Sequence, residues 1–366
     1  MSLLSQFFPS GGGGSNIHLE LVAVSGGGAS GVGCNPSSST CSVCRTGGGG
    51  GGAAYQGRLS VAPGSTLPIT IGAGGAINPT SPCNGSRGGS TIVKYPEGSI
   101  RVVGGGGGMN QTGCGLDPTG PMHGGTGGGG GCASKPMLSE CCAFFNYITP
   151  SSNTTANQGA IGRSIGRSVY ARGSLQTNVY CANPTVSGEF LLQSDWNGPV
   201  STPYGDGAFY GAPSNGFYQT GSPAPTSGRM VTGSGGGGAG GQGFVAAGCV
   251  NEPCASGGYS EVAGPGIFTD ITGTVEEFGK GGIDVFAPTV PTACVTAHSA
   301  ANTGNGGSTN GGPAPTSNSG GSGVVIIRYP TDFSAAPSSP GATLCTPVTP
   351  GFHTYRFNSS GSITLP

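Results

Sequence analysis

Charge is what this sequence has least of. Of its 366 residues only 7% are charged, 14 acidic against 13 basic, for a net charge of −1. Ordinary globular chains carry roughly 25%. No Lys/Arg cluster forms, and nucleic-acid binding rests on counterion-releasing basic contacts, so no nucleic-acid partner is expected. Long apolar runs are missing too. Nothing approaches the roughly 18 residues of a membrane span, so none is expected. Met1–Ser10 (MSLLSQFFPS) has no basic start and too short an apolar stretch for a signal peptide. Exit from a cell is therefore expected by lysis, inside a particle, or after loss of a leader.

Catalytic constellations are equally scarce. The four histidines, His18, His123, His298 and His353, lie far apart and beside no paired carboxylates. The one tight acidic pair is Glu276-Glu277, and neighbours on a strand face opposite ways. No general acid/base pair or calcium loop can be assembled from these. Gly162-Arg-Ser-Ile-Gly166 has the spacing of a nucleophile elbow but not the strand before it and helix after it. The expectation is a protein that is not an enzyme, with no catalytic residue and no cofactor.

What is abundant is glycine, 79 residues, with 29 prolines. That level is usual for disordered, low-complexity chains. Real strand segments count against a mere linker. Ile17, Leu19, Leu21 and Ala23 alternate with His18, Glu20, Val22 and Val24, and then a glycine run begins. Ser99-Ile-Arg-Val-Val103 and Arg229-Met-Val-Thr232 also lead into glycine, and Val324-Val-Ile-Ile-Arg-Tyr329 follows it. Such β-branched stretches bounded by Gly and Pro read as strands. Runs of three or more glycines occupy 11–14, 26–28, 47–52, 104–108, 127–131 and 235–238.

A glycine run makes a poor helix and a poor ordinary strand. Yet every residue keeps one donor and one acceptor. In the extended threefold helix these groups point outward in three directions, and without side chains neighbouring runs can approach closely. Six residues would span roughly 19 Å. The expected fold class is all-β with polyglycine II helices: short strands alternating with packed glycine runs, and little or no α-helix.

Composition divides the chain into an N-terminal segment (1–10), a glycine-rich strand/polyglycine unit (11–132), a Cys/aromatic-rich insert (133–227), a second glycine-rich unit (228–330) and a C-terminal segment (331–366). Pro223-Ala-Pro-Thr-Ser227 and Pro313-Ala-Pro-Thr-Ser317 echo each other before the strands of the second unit. In the last segment His353–Phe357, a turn at Asn358-Ser-Ser-Gly361 and Ser362–Leu365 read as a closing β-hairpin.

There are 13 cysteines: Cys34, Cys41, Cys44, Cys83, Cys114, Cys132, Cys141, Cys142, Cys181, Cys249, Cys254, Cys294 and Cys345. Disulfides in an oxidising environment are the first reading, and the odd count leaves at least one thiol free or paired between chains. Cys34, Cys41 and Cys44, with Cys83 or His18, could instead hold zinc. The spread of cysteines over the chain favours disulfides. Asn84, Asn110, Asn153 and Asn358 head glycosylation sequons, which matter only on a secretory route. Residues 133–227 hold 12 of the 26 aromatics. Among them Tyr170, Trp196, Tyr204, Tyr210 and Tyr218 could build a recognition surface, against the alternative of a small core or a subunit contact.

The stretch Leu59-Ser-Val-Ala-Pro-Gly-Ser-Thr-Leu-Pro-Ile-Thr-Ile-Gly-Ala-Gly-Gly75 resembles the glycine-rich domains of phage tail fibres and large-virus surface proteins. So does the order of elements around it, from Ile17–Val24 through 47–52 and Gly89–Val93 to Ile100–Gly108, and the stretch 320–329. The resemblance implies a virion structural protein, a fibre, spike or capsid-surface component at the virion surface. It implies a rigid scaffold presenting loops, often as a trimer, with self, other virion proteins and a host-surface glycan or protein as partners. A non-viral extracellular filament or matrix protein is the alternative, and a host-glycan depolymerase a distant third. Thirteen cysteines and the insert 133–227 depart from the family pattern, so no receptor-binding residue is carried over.

Overall fold

A computed structural model describes residues 16–31, 47–77, 85–96, 98–108, 124, 126, 198–202, 205–210, 235–241, 243–245, 259–286, 300–310, 316–345 and 350–366. Its strands are β1 (Ile17–Val24), β2 (Ala54–Val61), β3 (Thr66–Thr70), β4 (Thr91–Tyr95), β5 (Gly98–Val102) and β6 (Gly198–Thr202). Then come β7 (Gly205–Tyr210), β8 (Phe244–Val245), β9 (Tyr259–Val262), β10 (Ile267–Thr269), β11 (Glu276–Phe278) and β12 (Asp284–Phe286). The last are β13 (Thr309–Asn310), β14 (Thr316–Ser317), β15 (Val324–Pro330), β16 (Ala342–Leu344), β17 (Phe352–Phe357) and β18 (Gly361–Thr364). Among the described residues every regular element is a strand, and only β12 and β13 pair in parallel.

Two sheets form a sandwich. The larger runs β16-β17-β15-β1-β2-β7-β6 and the smaller β18-β3-β4-β5. The alternation of β1 decides which side packs. Ile17, Leu19, Leu21 and Ala23 enter the space between the sheets with Leu59, Leu67, Val93, Ile327 and Phe357. Sealing it are β18's Ile363 and the following Leu365. Val22 and Val24 face the other way and join Ile326, Ile267, Ile271 and Phe278 of a second cluster beneath the β10/β11 ribbon. The large sheet is thus covered on both faces at its centre, which is why β15 reads as a continuous apolar run. The Pro63-Gly64 turn joins β2 to β3: Ser65 N–H donates to Ala62 O at 3.2 Å, and Gly64 takes φ 76°, as the third residue of a type II turn must.

The terminal segment is not a hairpin. β17 pairs with β15 and β16 in the large sheet, whereas β18 pairs with β3 in the small one. Asn358–Ser360 carry the chain across the sandwich. The reason is burial: Tyr355 and Phe357 line one wall of the core and Ile363 the other.

Beyond the sandwich the strands run on into glycine, and the pairing register does not change. Val24 faces Ala54 in the sheet; Ser25, Gly28 and Gly31 then donate to Ala53, Gly50 and Gly47 at 3.0, 2.8 and 3.1 Å. Val24 also faces Val324, and Gly27 and Ser30 donate to Gly321 and Asn318. The β4/β5 pair continues likewise through Gly88 to Gly105 and Gly85 to Gly108. What changes is direction. Along 26–31 the donors turn with a period of three: Gly26 and Ala29 reach 86–89, Gly27 and Ser30 reach 318–321, Gly28 and Gly31 reach 47–50. The same run accepts from Gly75, from Gly105 and Gly108, and from Gly307. It therefore has six neighbouring runs, three by donation and three by acceptance.

Run 47–52 is enclosed in the same way. Gly49 and Gly52 donate to Gly307 and Gly304, Gly50 to Gly106 and Gly51 to Gly237, while Gly282 donates back to Gly49. The two glycine-rich stretches of the sequence interleave in this single lattice, since 26–31 and 47–52 lie directly against 304–307 and 318–321. Close approach is obligatory. A Cβ on Gly28 would sit 2.0 Å from Gly106 O, and one on Gly51 2.1 Å from Gly279 O.

Candidate functional site

The part of this molecule with something to present is the end of the lattice away from the sandwich. Runs 26–31, 72–77, 104–108, 279–283 and 304–308 leave the sandwich side, and 47–53, 85–90 and 318–323 return to it. The chain accordingly departs and re-enters at this far end between residues 31 and 47, 77 and 85, and 310 and 316. It also departs there at residue 108. The contacts that close this end are Gly31 to Gly47, Gly85 to Gly108, Gly108 to Ala29 and Ser30 to Asn318. A small sheet of order β14-β13-β12-β9-β8 flanks it and holds the departure points 245/259 and 286.

Opposite, where pleated strands become threefold runs, buried hydroxyls fill the mismatch. Ser25 Oγ donates to Val103 O at 2.6 Å and lies 3.1 Å from Ala53 O. Thr91 Oγ1 accepts from Gly72 N–H at 3.0 Å and donates to Val24 O at 2.8 Å. Thr126 Oγ1 donates to Gly51 O, inside the lattice. All three residues are fully buried. A hydroxyl supplies one donor and accepts as well, so it satisfies backbone groups that the change of symmetry leaves without a backbone partner. Sequence reasoning passed over these residues, although a Ser or Thr immediately beside a glycine run is a visible signal.

The outer face of the large sheet carries the few charges. Glu20 and Arg328 are direct cross-strand neighbours, bonded at 2.6 Å. Arg328 also reaches Ile271 O at 3.2 Å and lies over the Phe352 ring at 4.8 Å. Arg356 grips Glu276 at 2.7 Å, donates to Asn302 O and Asn358 Oδ1, and lies over Phe278 at 5.5 Å. These clamps fasten the β10/β11 ribbon and the 300–304 turn to the sheet. Chemically they are saturated cations held by carboxylates, carbonyls and rings. Inside the sandwich Tyr329 stacks on Tyr355 at 5.9 Å and beside His353 at 5.4 Å. Burial, reinforced by the Tyr355 hydroxyl, pushes the Tyr329 phenol far above the ordinary tyrosine range.

The sequence-predicted residues fall unevenly on this frame. Cys345 is a free thiol, and burial pushes it up, with Arg356 opposing and Glu276 adding. The other disulfide candidates and the zinc candidates Cys34, Cys41, Cys44 and Cys83 lie outside the described residues. Tyr210 ends β7, opposite Ala54 of β2. Tyr170, Trp196, Tyr204 and Tyr218 lie outside the described residues, as do Arg229–Thr232, His123, His298 and the Gly162–Gly166 motif. Among the described residues no group of His, Cys, Asp and Glu is arranged to hold a metal ion. None of their helices is long and apolar enough to cross a membrane.

A sequence model of a family described as a glycine-rich domain matches residues 14–330. No curated protein and no solved structure matches the chain.

Proposed function

The chain belongs to the glycine-rich domain family, and from that premise we propose that it is a non-catalytic structural protein, a rigid scaffold that presents loops from one end. Its runs are read as polyglycine II helices. The observation that carries this is the lattice: a threefold hydrogen-bond network whose long excursions depart at the far end. Rigidity follows from the chemistry. Each interior residue is held by backbone bonds in three directions, and no side chain needs to change rotamer for the loops to vary. An apolar core of ordinary kind is confined to the sandwich and the ribbon beneath it.

The setting proposed is a virus particle, as a fibre, spike or capsid-surface component. What supports it is the element order strand, glycine run, strand, Pro-Gly turn, strand, glycine run, which resembles viral glycine-rich domains. Host attachment would then fall to the loops at the far end and to the segment containing Trp196 and Tyr204. The test has two arms. Antibody raised against the purified chain should decorate intact particles at their surface, and a gene flanked by secretion and matrix genes would sink the particle reading. Trp196→Ala/Tyr204→Ala protein should fold normally and lose host-cell binding; retained binding would remove that segment from the attachment role.

A further inference from the structure

The runs at the margin of the lattice carry side chains in a fixed pattern. Ala73-Gly-Gly-Ala76, Arg87-Gly-Gly-Ser90, Lys280-Gly-Gly-Ile283, Asn305-Gly-Gly-Ser308 and Ser319-Gly-Gly-Ser322 each set two side chains three residues apart. Three residues is the period with which the hydrogen-bonding directions repeat, so both members of a pair lie on one row. The enclosed run 47–52 carries none. In two of these runs the marked row faces something other than a backbone neighbour in plain view. Asn305 Oδ1 and Ser308 Oγ accept from Lys280 and Ile283 N–H across a seam where side chains stand in for carbonyls.

Run 72–77 shows the other use of the pattern. Gly72 and Gly75 are buried, whereas Ala73 and Ala76 are exposed. The carbonyls of Ala73 and Ala76 accept from Gly89 and Ser86, but their N–H groups have no partner among the described residues. This row therefore has the unspent donors to pair one more run. It also has two methyl groups in the way. Within the lattice a Cβ comes impossibly close to the next backbone: 1.9 Å from Ala73 O at Gly26, 2.1 Å from Gly28 O at Gly49, 1.8 Å from Gly320 O at Gly74. A run from another molecule laid on the 73/76 row would meet the same obstacle from the alanine methyls.

We infer that Ala73 and Ala76 are lateral stops, which end the lattice at this edge and bar a second copy of the chain from adding a run there. Glycine at both positions would leave a bare row of donors, free of side chains, that matches the runs it would recruit. Edge strands of sheets are guarded against self-pairing in a comparable way, by side chains that spoil the template. The inference is independent of whether the chain serves a virus particle. It says which face any self-assembly does not use.

The test is A73G/A76G, both changes being on exposed positions, with A73S/A76S as the matched control. By light scattering over a wide concentration range, the glycine variant should show at least a twofold higher mass than the wild-type assembly, and the serine variant the wild-type mass. Amide exchange at residues 73 and 76 should slow in the glycine variant alone. A folded glycine variant with wild-type mass overturns the inference, and so does wild-type protein whose residue 73 and 76 amides are already protected by self-association. A76G alone, the milder opening, decides the matter by the same readouts if the double variant loses its fold.

Discussion

Replacing Gly49 by alanine adds one methyl group to the most enclosed part of the lattice. An added Cβ would lie 2.1 Å from Gly28 O, 2.7 Å from Gly28 C and 2.8 Å from Ala29 O. Ordinary carbon–oxygen contact needs more than 3 Å, so the 26–31 and 47–52 runs must separate by about 1 Å or more. The obstacle is backbone, which has no rotamer to change. Four bonds converge on these two residues: Gly28 to Gly50, Gly49 to Gly307, Gly307 to Gly28 and Gly282 to Gly49, each at 2.7 or 2.8 Å. Leaving two of them unmade strands buried groups at about 1–3 kcal/mol each, or about 2–6 kcal/mol in all. Alanine also lowers the entropy of the unfolded chain, worth about 0.4–1 kcal/mol in the opposite sense. The net loss, about 2–5 kcal/mol, is a large share of a typical folding free energy of 5–15 kcal/mol. The assay is denaturant unfolding of G49A beside Ala76→Ser, which alters an exposed position of a marginal run and should cost about 0.5 kcal/mol or less. A G49A midpoint indistinguishable from that of Ala76→Ser would refute close packing of the runs.

Arg328→Leu should destabilise the protein by about 3 kcal/mol, because it leaves Glu20 against a mostly covered face without its partner. Glu20→Leu/Arg328→Leu should recover most of that loss, and a double-mutant cycle with no coupling would contradict the ion pair. Tyr329 should resist ionisation on alkaline titration until the protein unfolds, as followed by phenolate absorbance. Its raised phenol gives stability that is intact below the ordinary tyrosine range and lost as pH rises through it. Cys345 should react with iodoacetamide more slowly than a free thiol near pH 8 and catch up at higher pH, since burial keeps it protonated. Rapid labelling at neutral pH, mapped by mass spectrometry, would place its thiol elsewhere.

Strands with alternating or continuous apolar character were legible at once. β1 and β15 match the stretches Ile17–Val24 and Val324–Tyr329 nearly residue for residue, because burial of a side chain is encoded by that side chain. The Pro63-Gly64 turn was legible for a similar reason. Which glycine run lies against which was not, since a residue without a side chain carries no mark of its neighbour. The β17/β18 segment misled for the opposite reason. Asn358–Gly361 is a plausible hairpin turn, and only the separate partners of Phe357 and Ile363 on two walls of one core reveal the crossing. β6 and β7, a Gly- and Ala-rich hairpin inside the aromatic insert, lacked the β-branched signature and join the large sheet through the backbone alone in any visible pattern.

The missing information about the runs is supplied by the strands that feed them. Val24 pairs with Ala54 and Val324, and the runs that follow inherit both registers without a slip. A run of identical glycines could otherwise slide by one residue at almost no energetic cost, and each slip would rotate its donors by a third of a turn toward the wrong neighbour. Anchored by a strand whose apolar face admits only one register, the run has no such freedom. Ser25 and Thr91 reinforce the choice, since their hydroxyls meet carbonyls of named partners at the junction and would miss them after a shift. The sandwich therefore acts as the template and the lattice as its extension. Specificity is set at one end by side chains and transmitted as backbone geometry to the other. That division leaves the residues at the far end free to vary, because neither the register nor the packing of the lattice depends on them.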